Sequence, residues 1–210
     1  MAQNPEHEHY FASKAVDDSA LRRVNVRISG RDVELFTAGG VFSPEHIDAG
    51  TAVLLYDAPK PPLTGNLLDL GCGWGPIALT MATEAPDATV WAVDINERAL
   101  DLVRRNAALL GLTNVRACLP DEVPSDVSFE TIWSNPPIRV GKEALHELLL
   151  TWLPRLGNDA SAYLVVQKHL GADSLQTWLA TTFADGYRVS RSGSSKGFRV
   201  IEVSTTGPRH

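Results

Sequence analysis

The chain has 210 residues, 44% hydrophobic and 21% charged, with 16 Gly and 13 Pro, a balance that excludes disordered, collagen-like and low-complexity classes and suits one large domain. No apolar run approaches the ~18 residues of a membrane span, the first ten residues are polar and acidic, and Cys72 and Cys118 make no CxxC pair, so a membrane span, a secretory leader, a zinc ribbon and a disulfide scaffold are not expected. The formal charge of −6 argues against non-specific nucleic-acid binding, although residues 186–210 carry five Lys or Arg against Glu202 alone.

In chain order, RRVNVRIS and DVELFT read as a hairpin turning at residues 30–31. A Gly39–Gly40 turn leads to a helix near 45–56, and APKPPLTG at 58–65 is a Pro-rich connector. Residues 1–65 are too few to hold a core of their own, so they read as an extension packed on a core of residues 66–210, within one structural domain. From residue 66 onward, short β-type runs alternate with helical stretches. Strands are expected at 66–72, 88–94, 114–118, 129–135 and 161–167, and helices at 76–85, 96–111, 142–153 and 172–184. Two closing strands, 187–192 and 198–204, flank a GSSKG turn. Such alternation implies a parallel sheet covered on both faces, with the closing strands antiparallel to each other.

Two loops carry chemistry. Asp69-Leu70-Gly71-Cys72-Gly73-Trp74-Gly75-Pro76 follows the first core strand and opens a helix. Glycines there bring backbone N–H groups up to a ligand. The G-x-G-x-G spacing misses the dinucleotide fingerprint by one residue, and the Lys-Ser/Thr of a P-loop is absent. Asp69 would repel a pyrophosphate and suit a cation or ammonium group. Asp94, ending the second core strand and followed by Ile95, can accept hydrogen bonds from ribose hydroxyls. This set suits S-adenosylmethionine, whose ammonium, sulfonium and ribose all favour nearby carboxylates. The blander alternative is a tight strand–helix turn in which Asp69 caps the helix and Cys72 merely packs.

The second loop is Ser134-Asn135-Pro136-Pro137-Ile138-Arg139, at the end of the fourth core strand. Ligands of open α/β sheets lie at such strand ends, so both loops should face one crevice. An exocyclic amine is a poor nucleophile because its lone pair is delocalised. The Asn135 side-chain carbonyl and the Pro136 backbone carbonyl can accept its two N–H bonds and turn the lone pair outward. Pro136 and Pro137 stiffen the loop and supply no competing N–H. The alternative is a Pro-rich loop in which Asn135 makes an Asx turn. The histidines show no metal-ligand spacing beyond His7 and His9 in the N-terminal tail, so no metal is expected.

With these residues in place, the sequence resembles class I S-adenosylmethionine-dependent methyltransferases, and more narrowly the "methyltransferase small" (MTS) domain family, which includes ribosomal RNA guanine-N2 methyltransferases. The matching stretches are HYFASK (9–14), FTAGGVFSPEHIDAGTAVLL (36–55), LLDLGCGWGPIAL (67–79), VDINERAL (93–100) and SNPPIRVGK (134–142). The resemblance implies a Rossmann-like, doubly wound α/β fold with a seven-stranded sheet in the order 3-2-1-4-5-7-6, the last strand antiparallel, and S-adenosylhomocysteine as the product. It implies cofactor contacts at Asp69, Gly71, Cys72, Gly73, Gly75, Asp94 and Ile95, with Asn135 where cofactor and substrate meet. It also implies that Phe42, Ser43, Asp48 and Thr51 fold over the methionine end. Ile138 stands where many amine methyltransferases carry an aromatic ring, and Tyr10 or Phe11 is the expected replacement. Arg139, Lys142 and Lys168 are candidates for substrate phosphate.

The expected reaction is methyl transfer to an exocyclic amino nitrogen of an RNA base, guanine N2 of ribosomal RNA in particular, in the cytoplasm. Two alternatives stand beside it: methylation of a protein glutamine, and a non-catalytic cofactor-binding subunit of an RNA-modifying complex. The oligomeric state is not legible in the sequence.

Overall fold

The computed structural model describes residues 17–138 and 141–207. Tyr10, Phe11 and Arg139 lie outside the described residues, so their expected roles stay with the sequence reading. Strands β1 (Leu21–Ile28) and β2 (Arg31–Ala38) form the expected hairpin, with Ile28 opposite Arg31. The turn is Ser29–Gly30, one residue earlier than expected, and both residues have positive φ, the geometry that a two-residue turn between twisted strands favours. Helix α1 spans Ala49–Asp57 and starts later than the sequence pattern implied. Asp48 caps it by accepting from the N–H groups of Gly50 and Thr51, so the preceding residues are left as a loop.

The core alternates as expected: β3 (Asn66–Leu70), α2 (Pro76–Glu84), β4 (Thr89–Val93), α3 (Glu97–Leu109), β5 (Val115–Cys118) and β6 (Phe129–Ser134). There follow α4 (Lys142–Trp152), β7 (Leu156–Gln167), α5 (Ala172–Thr182), β8 (Tyr187–Ser195) and β9 (Phe198–Thr205). The seven-stranded sheet runs β5-β4-β3-β6-β7-β9-β8. β9 alone runs opposite to the other six strands, and the order is the one that the resemblance implied. This is a Rossmann-like, doubly wound α/β fold.

Two apolar layers hold the sheet. One packs Leu68, Phe129, Ile132 and Leu164 with Leu149 of α4 and Leu179 of α5. The other packs Leu67, Val90 and Val165 with Val53 and Leu54 of α1, Met81 of α2 and Val103 of α3. A third cluster joins Val24, Ile28, Leu35 and Ala38 of the hairpin to Trp74, Leu79, Leu102 and Ala107. Inside that cluster the fully buried Asn106 accepts from the Phe36 N–H (2.7 Å) and donates to the carbonyls of Phe36 (2.9 Å) and Trp74 (3.2 Å). One amide thus satisfies backbone groups of the hairpin and of the glycine loop together, which buried polar groups require.

Candidate active site

The glycine loop leaves β3 at its carboxyl end. Gly71 and Gly73 have φ of +75° and +54°, and a Cβ added to either would meet nothing within 4 Å. The loop therefore presents backbone without side chains to open space, but not the free N–H groups expected there: those of Gly71 and Cys72 donate to the Val93 carbonyl and that of Gly75 to the Cys72 carbonyl. Gly75 differs: a Cβ there would come within 3.0 Å of Val103, so this glycine lets α2 approach α3.

Asp69 lies wholly beneath the loop. Its Oδ2 accepts from the Ala78 N–H at 2.9 Å, capping the first turn of α2, while Oδ1 has no partner among the described residues. The capping expected of an ordinary strand–helix turn is thus present, and half of the carboxylate is left over. Burial pushes the Asp69 carboxyl up to about 8, with the Ala78 N–H opposing and the Asp94 charge adding to the rise. Cys72 is buried, and burial with the two nearby carboxylates holds its thiol well above the usual range, which leaves it a packing residue in protonated form.

Asp94 ties the second core strand to the loop. Its Oδ2 accepts from Gly73 N–H and its Oδ1 from Asn96 N–H, both at 2.9 Å. Each oxygen keeps lone-pair capacity for a further donor. Ile95 beside it is 84% exposed, and Phe42 is 63% exposed, so both offer uncovered apolar surface. The loop carrying Phe42 is pinned to the glycine loop, since Trp74 Nε1 donates to the Ser43 carbonyl at 3.0 Å and Asn96 Nδ2 to the Gly40 carbonyl at 3.0 Å. The Ser43 hydroxyl is occupied within its own turn, donating to the His46 carbonyl.

The Asn-Pro-Pro turn leaves β6 next to this loop, because β6 pairs directly with β3. The buried Ser134 hydroxyl donates to the Leu70 carbonyl at 2.7 Å and locks the two strand ends together. Asn135 makes no Asx turn. Its Nδ2 donates to Asp48 Oδ2 at 2.9 Å and to Thr51 Oγ1 at 3.1 Å. The Pro136 carbonyl already accepts from the Ile138 N–H at 2.8 Å, so the turn supplies a competing donor that its prolines alone would not.

Ile138 opens onto a cleft of about 190 Å³ shared with Lys142, Leu145, His146, Val166, Leu170 and Leu175. The His146 ring stacks on Trp178 with centroids 3.5 Å apart and planes 10° from parallel. Burial, then the Lys142 charge, lowers the His146 pKa below its ordinary value and favours the neutral ring near neutrality. Sequence reasoning missed His146, Trp178 and this cleft. Lys142 begins α4 beside the cleft, whereas Lys168 is exposed past β7, its N–H held by the Gly197 carbonyl.

Residues 32–202 match the family model described as "Methyltransferase small domain". The uncharacterized protein YbxB of Bacillus subtilis (strain 168) is 34% identical over 199 residues, which cover 93% of this chain and 98% of that protein. "Ribosomal RNA small subunit methyltransferase C" of Aeromonas hydrophila is 34% identical over 153 residues, covering 70% of this chain and 44% of that protein. The chain thus spans less than half the length of that larger relative. Among solved structures, the T. thermophilus 16S rRNA N2 G1207 methyltransferase (RsmC), in complex with AdoMet and guanosine, superposes with a TM-score of 0.77 at 20% identity, over 89% of this chain and 51% of that one. At that identity the likeness is one of fold.

Proposed function

The chain belongs to the methyltransferase small domain family of S-adenosylmethionine-dependent enzymes, and on that premise we propose that it methylates an exocyclic amino nitrogen of an RNA base, guanine N2 of ribosomal RNA in particular. The observation that carries this reading is the latch between Ser134 and Leu70, which sets the amine-binding turn beside the open glycine loop. The relatives named as ribosomal RNA methyltransferases support the choice of RNA.

The residues present fit the cofactor. Open backbone at Gly71 and Gly73 gives it a floor, Asp94 has spare acceptor capacity for ribose hydroxyls, and Ile95 and Phe42 offer apolar cover. The unpartnered Asp69 oxygen favours a cationic ligand from beneath the loop. When bound, the cofactor supplies a methyl group on a positively charged sulfur.

Asn135 Oδ1 accepts one N–H of the target amine, and the free lone pair of the Pro136 carbonyl accepts the other. Held by both, the nitrogen turns its lone pair away from the ring system and toward the cofactor side of the crevice. The proton shed by the amine leaves to water, so no strong side-chain base is needed. The cleft beside Ile138 receives the base, which must be unstacked to enter. The neutral His146 ring, backed by Trp178, takes the place of the aromatic residue that Ile138 lacks.

Radiolabelled S-adenosylmethionine offered with total RNA and total protein from cells lacking this chain tests the reading. Label in RNA that disappears with Asn135→Ala is the expected result. Label in protein instead would replace it with the glutamine alternative.

A further inference from the structure

We propose that Asp48 is a positioning residue that determines which end of the Asn135 amide faces the substrate; the inference rests on the amine-transfer reading above. An asparagine amide has two ends of nearly the same shape and opposite hydrogen-bonding sense, so its surroundings must choose between them. Here the choice is forced. An ionised carboxylate only accepts, and Asp48 Oδ2 lies 2.9 Å from Asn135 Nδ2. The flipped amide would set two oxygens against each other at that distance. Thr51, at 3.1 Å, could not decide alone, because a hydroxyl donates or accepts equally well.

Asp48 is itself held. The same Oδ2 accepts from the N–H of Gly50 at 2.8 Å and of Thr51 at 3.4 Å. Helix α1 is in turn anchored, since Val53 and Leu54 are buried in the sheet and a Cβ at Gly50 would meet the Phe198 ring at 3.0 Å. The cap of α1 thus fixes a carboxylate, and the carboxylate fixes the amide 87 positions later in the chain.

Among the described residues, no protein donor pairs with Asn135 Oδ1, so the forward-facing group is an acceptor. An acceptor welcomes an amine N–H and repels a carbonyl oxygen or an unprotonated ring nitrogen offered at the same point. Asp48 therefore sets the preference for an amine while touching neither substrate nor reacting atoms. This differs from the cofactor contact that the family resemblance implied for it.

Three variants separate the roles. Asp48→Ser keeps a good helix cap but cannot reach the amide, Asp48→Asn keeps an acceptor oxygen for both, and Thr51→Val removes only the second acceptor. Side-chain ¹⁵N–¹H signals of asparagine-labelled protein, with Asn135 assigned by its loss in Asn135→Ala, report the amide directly. Affinity for S-adenosylhomocysteine and the kcat and KM for RNA methylation report the consequence. Asp48→Ser is expected to shift the Asn135 signal and lower kcat by about 10²-fold, with S-adenosylhomocysteine affinity unchanged and most of kcat restored in Asp48→Asn. An unchanged Asn135 signal in Asp48→Ser, or weaker S-adenosylhomocysteine binding with kcat intact, would overturn the proposal. If the wild type methylates no RNA, the amine-transfer reading fails while the signal comparison still decides the amide's orientation.

Discussion

Asp94 and Gly73 are joined by a 2.9 Å hydrogen bond from the Gly73 N–H to the Asp94 carboxylate, so the acidic end of β4 shapes the glycine loop of β3. The second oxygen does the same for Asn96, the cap of α3. A residue read from sequence as a ligand contact is thus also the brace of its own site.

Replacing Asp94 by Ala should therefore cost more than one ribose contact. The loop loses a charge-assisted bond worth about 1.5–3 kcal/mol, and the Asn96 N–H loses its acceptor. The expected outcome is S-adenosylhomocysteine binding weakened at least tenfold, measured by titration calorimetry.

The Asp69 carboxyl, raised from 3.8 to about 8, makes a pH prediction. Between those values the unfolded chain is ionised while the folded chain keeps the proton. The folded state then binds more protons, so this group's contribution to stability falls as pH rises from about 4 to 8 and levels off above. A cationic ligand favours the ionised form, so binding should release up to one proton below pH 8 and tighten as pH rises toward 8. Asp69→Asn should flatten both dependences, checked by melting curves of the free protein and by calorimetry in buffers of different ionisation enthalpy.

Much of this site was legible because its motifs lie at strand ends, where local sequence and position coincide. Gly71 to Gly75, Asp94 and Asn135 needed only the order of strands to be brought together. Asp48 and Asn135 are different: their pairing depends on how α1 packs across the sheet, which no local pattern encodes. His146 and Trp178 sit on two helices without motifs, so the cleft between them had no signal. In the fold, β7 begins at Leu156, five residues before the expected start: Leu156 pairs with Phe129, and Gly157, Asn158 and Asp159, which break the apolar alternation, fall in a register shift before pairing resumes at Ser161. The hairpin's attachment through Asn106 was equally hidden, since a lone Asn in an amphipathic helix looks solvent-facing.

Asn106 also tests the proposal that extension and core form one structural domain. Asn106→Ala leaves the Phe36 N–H and two carbonyls without a partner and should destabilise by about 1–3 kcal/mol. One cooperative melting transition, shifted downward, is expected in calorimetry. Two separate transitions would mean that the hairpin and the sheet fold independently.

The cleft gives a further check. His146→Ala removes the ring stacked on Trp178, and base stacking is worth about 1–3 kcal/mol. RNA methylation should show a KM raised roughly fivefold or more, while S-adenosylhomocysteine affinity holds. Leu175→Trp, which fills the cleft, should abolish RNA methylation with the same unchanged cofactor binding.

The central claim is that Asn135 clamps an RNA base amine, and mass spectrometry of ribosomal RNA nucleosides tests it most directly. Cells lacking the chain should lose a methylated amino nucleoside, N2-methylguanosine in the specific reading, that returns with the wild-type chain and not with Asn135→Ala. Unchanged nucleosides across all three strains, or full recovery with Asn135→Ala, would contradict the account.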